Sequence, residues 1–227
     1  GGTATATLTV SAPASAFAAG DPPAGPYLDL ALSPGPLVLA SGSPYRRELL
    51  DRLALAFESV SPSIDETPWK GEEPAELVTR LALDKARAVA RERPGRVIIG
   101  SDQVATLDDE ILGKPGTTEN AVAMLTRCSG RSVEFLTGVC VLDGRSSDAE
   151  PAMHMDITRV AFRPLNRKEI TRYVDRERPL DCAGGFRSEG LGIALFDRID
   201  SQDPTGLIGL PLIWLSKVLV RLGFEVL

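Results

Sequence analysis

The chain has 227 residues, 43% of them hydrophobic and 25% charged, enough apolar material for a sizeable core and an ordinary globular balance. Acidic residues outnumber basic ones by 31 to 25, leaving a net charge of −6. That balance argues against a general nucleic-acid binder, whose affinity rests on a basic surface, while leaving room for a local basic pocket holding one small anion.

No apolar run approaches the ~20 residues a membrane helix needs; the longest candidate, residues 207–215, contains Gly209 and Pro211. No Lys or Arg precedes Arg46, so a secretory signal with a basic start is not expected, and a cytoplasmic protein is. The three cysteines, Cys128, Cys140 and Cys182, form no C-x-x-C pair and read as buried thiols of a reducing compartment. One histidine, His154, leaves little support for chemistry built on a histidine base or paired histidine ligands.

Residues 1–35 are rich in Ala, Thr, Ser, Pro and Gly without sustained periodicity and read as a flexible N-terminal extension; a folded domain is expected over 36–227. Leu37-Val38-Leu39-Ala40 reads as a short buried strand. Ser43-Pro44 then opens a helix, Ser at the N-cap and Pro in the first turn, with Leu49, Leu50 and Leu53 on one face. Residues 57–60 suggest a second strand. A long helix follows over 74–91, with Leu77, Leu81 and Ala88 on its apolar side. Val97-Ile98-Ile99-Gly100 is the clearest buried strand and leads into Ser101-Asp102-Gln103. A helix over 118–127, an antiparallel pair over 133–142 and 155–162, and helices over 166–175 and 210–222 complete an α/β pattern with a mixed sheet.

Chemistry concentrates where strands end. In Ser41-Gly42-Ser43-Pro44-Tyr45-Arg46-Arg47 a strand delivers the chain to a helix start, where unpaired N–H groups and the helix dipole favour anions. Ser41 and Ser43 add hydroxyls, and Arg46 and Arg47 add cationic forks. Together they describe a phosphate cradle. It is not a Walker A loop, because Gly113-Lys114-Pro115 lacks the upstream glycine and the following Ser/Thr. Asp102, taken as the end of an apolar strand, stands where open α/β sheets place ligands and is suited to ligate a divalent metal or to take a proton from water. Asp65-Glu66 could add a metal-binding carboxylate. Lys85 lies beside the apolar face of its helix, and Lys114 sits in a stiff loop.

Taken together, the SxSPxRR pattern at 41–47, DET at 65–67, IIGSDQV at 98–104, GKP at 113–115, CAGGFRSEG at 182–190 and GLPL at 209–212 resemble the Maf family of nucleotide pyrophosphatases. The resemblance runs from about residue 37 to the C-terminus in the family's motif order. It implies an α/β fold of the Maf/ITPase-like kind, an extended mixed sheet flanked by helices, with two lobes around a cleft. It also implies hydrolysis of a nucleoside triphosphate between the α- and β-phosphates with Mg²⁺ or Mn²⁺. By position, Asp102 is the expected proton acceptor and Arg46, Lys85 and Lys114 the phosphate ligands. Glu66 and Asp102 are the metal-side carboxylates.

Within the family, the branch acting on 7-methyl-GTP is the more similar. It carries an aromatic residue after Ser-Pro, here Tyr45, with Gln103 after the aspartate and Ser188-Glu189-Gly190 later. A 7-methylguanine ring is cationic, and an aromatic face attracts it by about 0.5–2 kcal/mol; Glu189 could offset its charge. Two positions depart from the pattern. Tyr45 stands where tryptophan is more frequent, and Gly42 where a hydroxyl residue is common. The resemblance also admits a homodimer. The rivals are a UTP/dTTP pyrophosphatase of the same family, a nucleotide-binding regulator without turnover, and a nucleotidyl or sugar-phosphate transferase.

Overall fold

The computed structural model describes residues 37–146 and 149–227, all within one compact unit. The N-terminal extension expected over 1–35 lies outside them. Seven strands form one mixed sheet. β1 (Leu37–Ala40) lies between β2 (Phe57–Ser59) and β3 (Val97–Leu107), parallel to both. On the other side of β3 come β5 (Ser132–Asp143), β6 (Ala152–Phe162) and β7 (Phe196–Asp200), each antiparallel to its neighbour. β4 (Glu110–Leu112) folds back on β3 as a hairpin. Its two-residue loop, Asp108-Asp109, has positive φ at both positions, the twist that suits a tight hairpin.

The helices begin where cap chemistry places them. α1 (Pro44–Asp51) is capped by Ser43, whose side chain accepts from the Arg46 N–H, with Pro in the first turn. α2 (Pro74–Glu92) also opens on proline. α3 (Thr118–Cys128) is capped by Thr117, and α4 (Arg167–Glu177) by a reciprocal Asn166–Glu169 box, the arrangement that satisfies two orphan donors at once. α5 (Leu212–Arg221) starts two residues later than its sequence pattern suggests, because Gly209 at φ 121° and the extended Pro211 hold the chain out of the helix. Its first N–H groups are taken by the Thr205 hydroxyl and the Asp203 carboxylate.

Period-two alternation along β3 sorts its side chains between two faces. Ile98, Gly100 and Val104 face α2, where they join its buried residues Ala82, Ala86, Leu77 and Leu81. Val97 and Ile99 face a core with Leu49 and Leu50 of α1 and Leu215 and Leu219 of α5. Further along that face, Ala105 and Leu107 enter a separate core with Leu125 of α3, Ile170 of α4 and a T-shaped aromatic cluster of Phe135, Phe162, Phe186 and Phe196. These two cores follow one another along the same face of β3. The stretch of β3 between them, Ser101 to Gln103, is left for polar work.

The sequence pattern placed Asp102 at a strand end. Instead it lies inside the eleven-residue β3, because β5 continues to pair with it through Thr106. The expectation survives in altered form. The parallel part of the sheet stops at the Ala40–Gly100 pair, and Asp102 lies two residues beyond it.

Candidate active site

A cleft of about 520 Å³ opens beyond the ends of β1 and the parallel half of β3. Ser41, Ser43, Tyr45, Arg46, Glu66, Lys85, Asp102, Gln103, Lys114 and Glu189 all line it, so residues spread over nearly 150 positions converge. Arg47 does not; it is exposed and lies off the cleft wall. Asp65 is likewise absent from the wall, its carboxylate accepting from the Thr67 N–H in a local turn.

At the helix start, the Ser41 hydroxyl accepts from the Ser43 N–H at 3.1 Å, and the Ser43 hydroxyl accepts from the Arg46 N–H at 3.4 Å. Both oxygens are therefore occupied as acceptors, and each keeps its O–H to donate to an anion. Arg46 donates from Nε to the Gly209 carbonyl at 2.9 Å, which fixes the guanidinium plane and leaves its outer nitrogens for a ligand. Burial pushes the Arg46 pKa down, opposed by the charges of Asp102 and Glu66.

Lys85 projects from mid-α2 and is buried, 6% exposed. A buried ammonium requires partners, and it has two: Asp102 Oδ1 at 2.5 Å and Glu66 Oε1 at 2.8 Å. Asp102 is almost as buried, while Glu66 reaches in from an exposed loop. Among the described residues, no group of three or more His, Cys, Asp or Glu side chains is arranged to hold a metal by itself. Lys114 is exposed on the cleft wall and forms no ion pair within the described residues.

On the opposite face of β3, polar side chains clamp the loop that leads into α5. The Ser101 hydroxyl lies 2.9 Å from the carbonyls of both Gly138 and Gly209, its single proton shared between them. The Gln103 amide nitrogen lies 2.8 Å from the Thr137 hydroxyl, 3.0 Å from the Gly206 carbonyl and 3.1 Å from the Leu207 carbonyl. Two carbonyl acceptors fix which way that amide points. Its nitrogen is thus engaged by the fold, and Oε1 remains as its acceptor.

Around Tyr45 the cleft has a different character. The Arg187 guanidinium lies 5.2 Å from the centre of the Tyr45 ring. Arg187 also approaches Cys182 Sγ at 3.5 Å and Asp181 at 3.4 Å. Burial, with added repulsion from Cys182, raises the Tyr45 phenol to about 12, and Arg187 opposes the rise. Glu189 is exposed and accepts from the Ser188 hydroxyl at 3.1 Å. Cys128 and Cys140 are buried, with burial raising their thiols to about 11 and about 12. Cys182 departs from the reading of all three as buried: it is half-buried on the cleft wall. Sequence reasoning singled out neither Arg187 nor Asp181. The only signal was their place beside or inside CAGGFRSEG, which gives no direction in space.

The fold and cleft define an α/β protein whose cleft combines a cationic, hydroxyl-lined anion site with an aromatic face. The Maf-like protein family matches residues 36–222, and the chain belongs to that family. It is 53% identical over 190 residues to a 7-methyl-GTP pyrophosphatase of Xanthomonas oryzae pv. oryzae, covering 83% of this chain and 97% of that one. It is 54% identical over 189 residues to the protein of the same name from Chromohalobacter salexigens, with the same coverage. The Pseudomonas aeruginosa 7-methyl-GTP pyrophosphatase is 53% identical over 190 residues, covering 84% and 98%.

Proposed function

We propose that this chain is a nucleoside triphosphate pyrophosphatase that converts 7-methyl-GTP and water to 7-methyl-GMP and pyrophosphate. The observation that carries the reading is the Asp102–Lys85–Glu66 cluster, set in the same cleft as Arg46, Lys114 and Tyr45. Family membership and three relatives bearing that name at 53–54% identity support it.

In this reading the triphosphate lies along the hydroxyls of Ser41 and Ser43 and against Arg46, Lys85 and Lys114, which offset its charge as the bond to the leaving group lengthens. Water attacks the α-phosphorus in line. Asp102 orients that water and accepts its proton, the α–β bridging oxygen departs with pyrophosphate, and the hydroxyl oxygen remains on the monophosphate. The carboxylates of Asp102 and Glu66, converging on one ammonium, are the residues that would hold a hard divalent cation such as Mg²⁺ or Mn²⁺, which would supply further neutralisation of phosphate charge. Tyr45 offers its face to the base, and Glu189 an acceptor at its edge.

One observation favours a second reading. Arg187 holds a protein cation beside Tyr45, so that aromatic face has a use other than selecting a cationic base, which keeps UTP or dTTP as candidates. Pyrophosphate release from 7-methyl-GTP, GTP, UTP and dTTP, each with Mg²⁺ and with Mn²⁺, separates the two. Preference for 7-methyl-GTP is expected, and preference for UTP refutes the base assignment. Among the described residues no helix is long and apolar enough to cross a membrane; a cytoplasmic location, a nucleotide rather than nucleic-acid partner, and a homodimer belong to the same proposal.

A further inference from the structure

Among the described residues, two arginines lie over aromatic rings, and they are held very differently. Arg80 lies 4.1 Å from the Trp69 ring centre and is locked there by Glu72, with contacts of 2.6 and 2.8 Å from two of its nitrogens. Arg187 lies 5.2 Å from the Tyr45 ring centre, inside the cleft, and no short bond fixes it. Its side-chain partners are the Cys182 sulfur, a weak acceptor, at 3.5 Å, and Asp181, itself exposed, at 3.4 Å. Its side chain is partly open to solvent, at 29%. The backbone N–H of Arg187 is bonded to the Tyr173 hydroxyl at 3.0 Å, which anchors the main chain independently of the side chain.

We infer that Arg187 is an internal occupant of the base end of the cleft: its guanidinium covers the aromatic face of Tyr45 in the free protein and leaves when a nucleotide base stacks there. This rests on the proposal that Tyr45 is the platform for the base. A cation over an aromatic face is favourable, so the open form is a minority of the free protein, and apparent affinity is reduced by that fraction. The cost of displacement is the same whichever base arrives. Arg187 therefore lowers affinity for every stacked nucleotide without changing the preference among them, and it leaves untouched any ligand that occupies only the phosphate end.

The test measures KM for 7-methyl-GTP and for GTP, and the inhibition constant of inorganic tripolyphosphate, in the wild type, Arg187→Ala and Arg187→Gln. The glutamine variant keeps much of the side chain's bulk and a donor while removing its charge, and both variants are compared with wild type by circular dichroism. Both nucleotide KM values are expected to fall by a common factor of about two to five, with tripolyphosphate inhibition unchanged. Unchanged or raised nucleotide KM values overturn the inference, as does a tripolyphosphate constant that moves in step with them. The platform is tested separately by adding Tyr45→Ala to Arg187→Ala. Weaker nucleotide binding in the double variant upholds Tyr45 as the platform even where the Arg187 inference fails. No change there removes the platform, and the inference with it.

Discussion

Gly138 is paired with Asp102 across the β3–β5 ladder, and a Cβ on Gly138 would lie 2.4 Å from the carbonyl oxygen of Val78 in α2. Gly100, two residues before Asp102, is as tightly placed, its missing Cβ 2.1 Å from the Ala82 carbonyl. The two glycines let α2 lie directly on the sheet, and that approach brings Lys85 within bonding distance of Asp102. The catalytic proposal thus depends on side chains that are absent.

Gly138→Ala should accordingly force α2 outward. Overpacking of this kind costs about 1–3 kcal/mol, read as a lower denaturant midpoint at an unchanged m-value. Turnover should fall further than stability does, because the displacement separates Lys85 from Asp102. A variant with wild-type turnover would show that this spacing does not matter.

Asp102→Asn should still bind nucleotide, as measured by calorimetry, and should lose about 10²–10⁴ in kcat, the usual contribution of a general base. Near-normal pyrophosphate release from this variant removes Asp102 from its assigned role.

Gln103→Leu separates clamping from base reading. Its amide nitrogen contacts Thr137, Gly206 and Leu207; the Gly206 carbonyl keeps the Thr137 hydroxyl and the Gly209 N–H, while the Leu207 carbonyl loses this donor, at about 1–3 kcal/mol. The melting temperature should fall, and KM for all nucleotides should rise together as the loop carrying the Gly209 anchor of Arg46 loosens. A changed ratio of 7-methyl-GTP to GTP turnover would instead make Gln103 a reader of the base.

Asp156 gives a pH prediction. Its carboxyl is buried beneath the loop, in contact with Thr158, and a Cβ on Gly206 would lie 2.1 Å from its Oδ2. Burial, assisted by Asp203, raises its pKa above the ordinary 3.8, opposed by the Thr158 hydroxyl, His154 and the Asp203 N–H. The folded state therefore holds this proton more tightly than the unfolded state does. Stability from this group is present in full below about pH 4 and is lost as pH rises through the raised folded value. Asp156→Asn should lack that downward slope, seen as a stability difference between variant and wild type that grows with pH across the window and then levels off.

Thiol labelling checks the cleft wall. Cys182 should react with Ellman's reagent in the native protein, faster as pH rises because burial raises its pKa, and 7-methyl-GTP should protect it. Cys128 and Cys140 should react only after unfolding, being buried in the two-sided core.

Local chemistry was legible wherever neighbours in sequence decide the outcome. The Ser43–Pro44 start of α1 and the Asn166 start of α4 follow from hydrogen bonds spanning three residues. The apolar run 97–100 marks β3 because two of its faces must be buried. The short strands β4 and β7 were not read: β4 turns on Asp-Asp in place of the usual glycine pair, and β7 is an edge strand of mostly exposed residues. The extent of β3 was also missed, since its pairing beyond Gly100 comes from β5, more than thirty residues downstream.

For the site, residue types and motif order sufficed to select the residues that line the cleft, but spacing could not assign their partners. Arg46 and Arg47 are adjacent and chemically alike, yet the helical rotation between them puts only Arg46 on the cleft wall, against the Gly209 carbonyl. Asp102 and Gln103 are adjacent too, and the strand's alternation sends one to Lys85 and the other to the loop before α5. Arg187 meets Tyr45 only because α1 and the 182–190 segment face each other across the cleft. Sequence determined the α/β pattern, the helix starts and the cast of polar groups, because those depend on short-range bonding and on burial. Tertiary structure decided which of those groups touch, because glycine-permitted packing of α2 and pairing between distant strands set distances that no local rule contains.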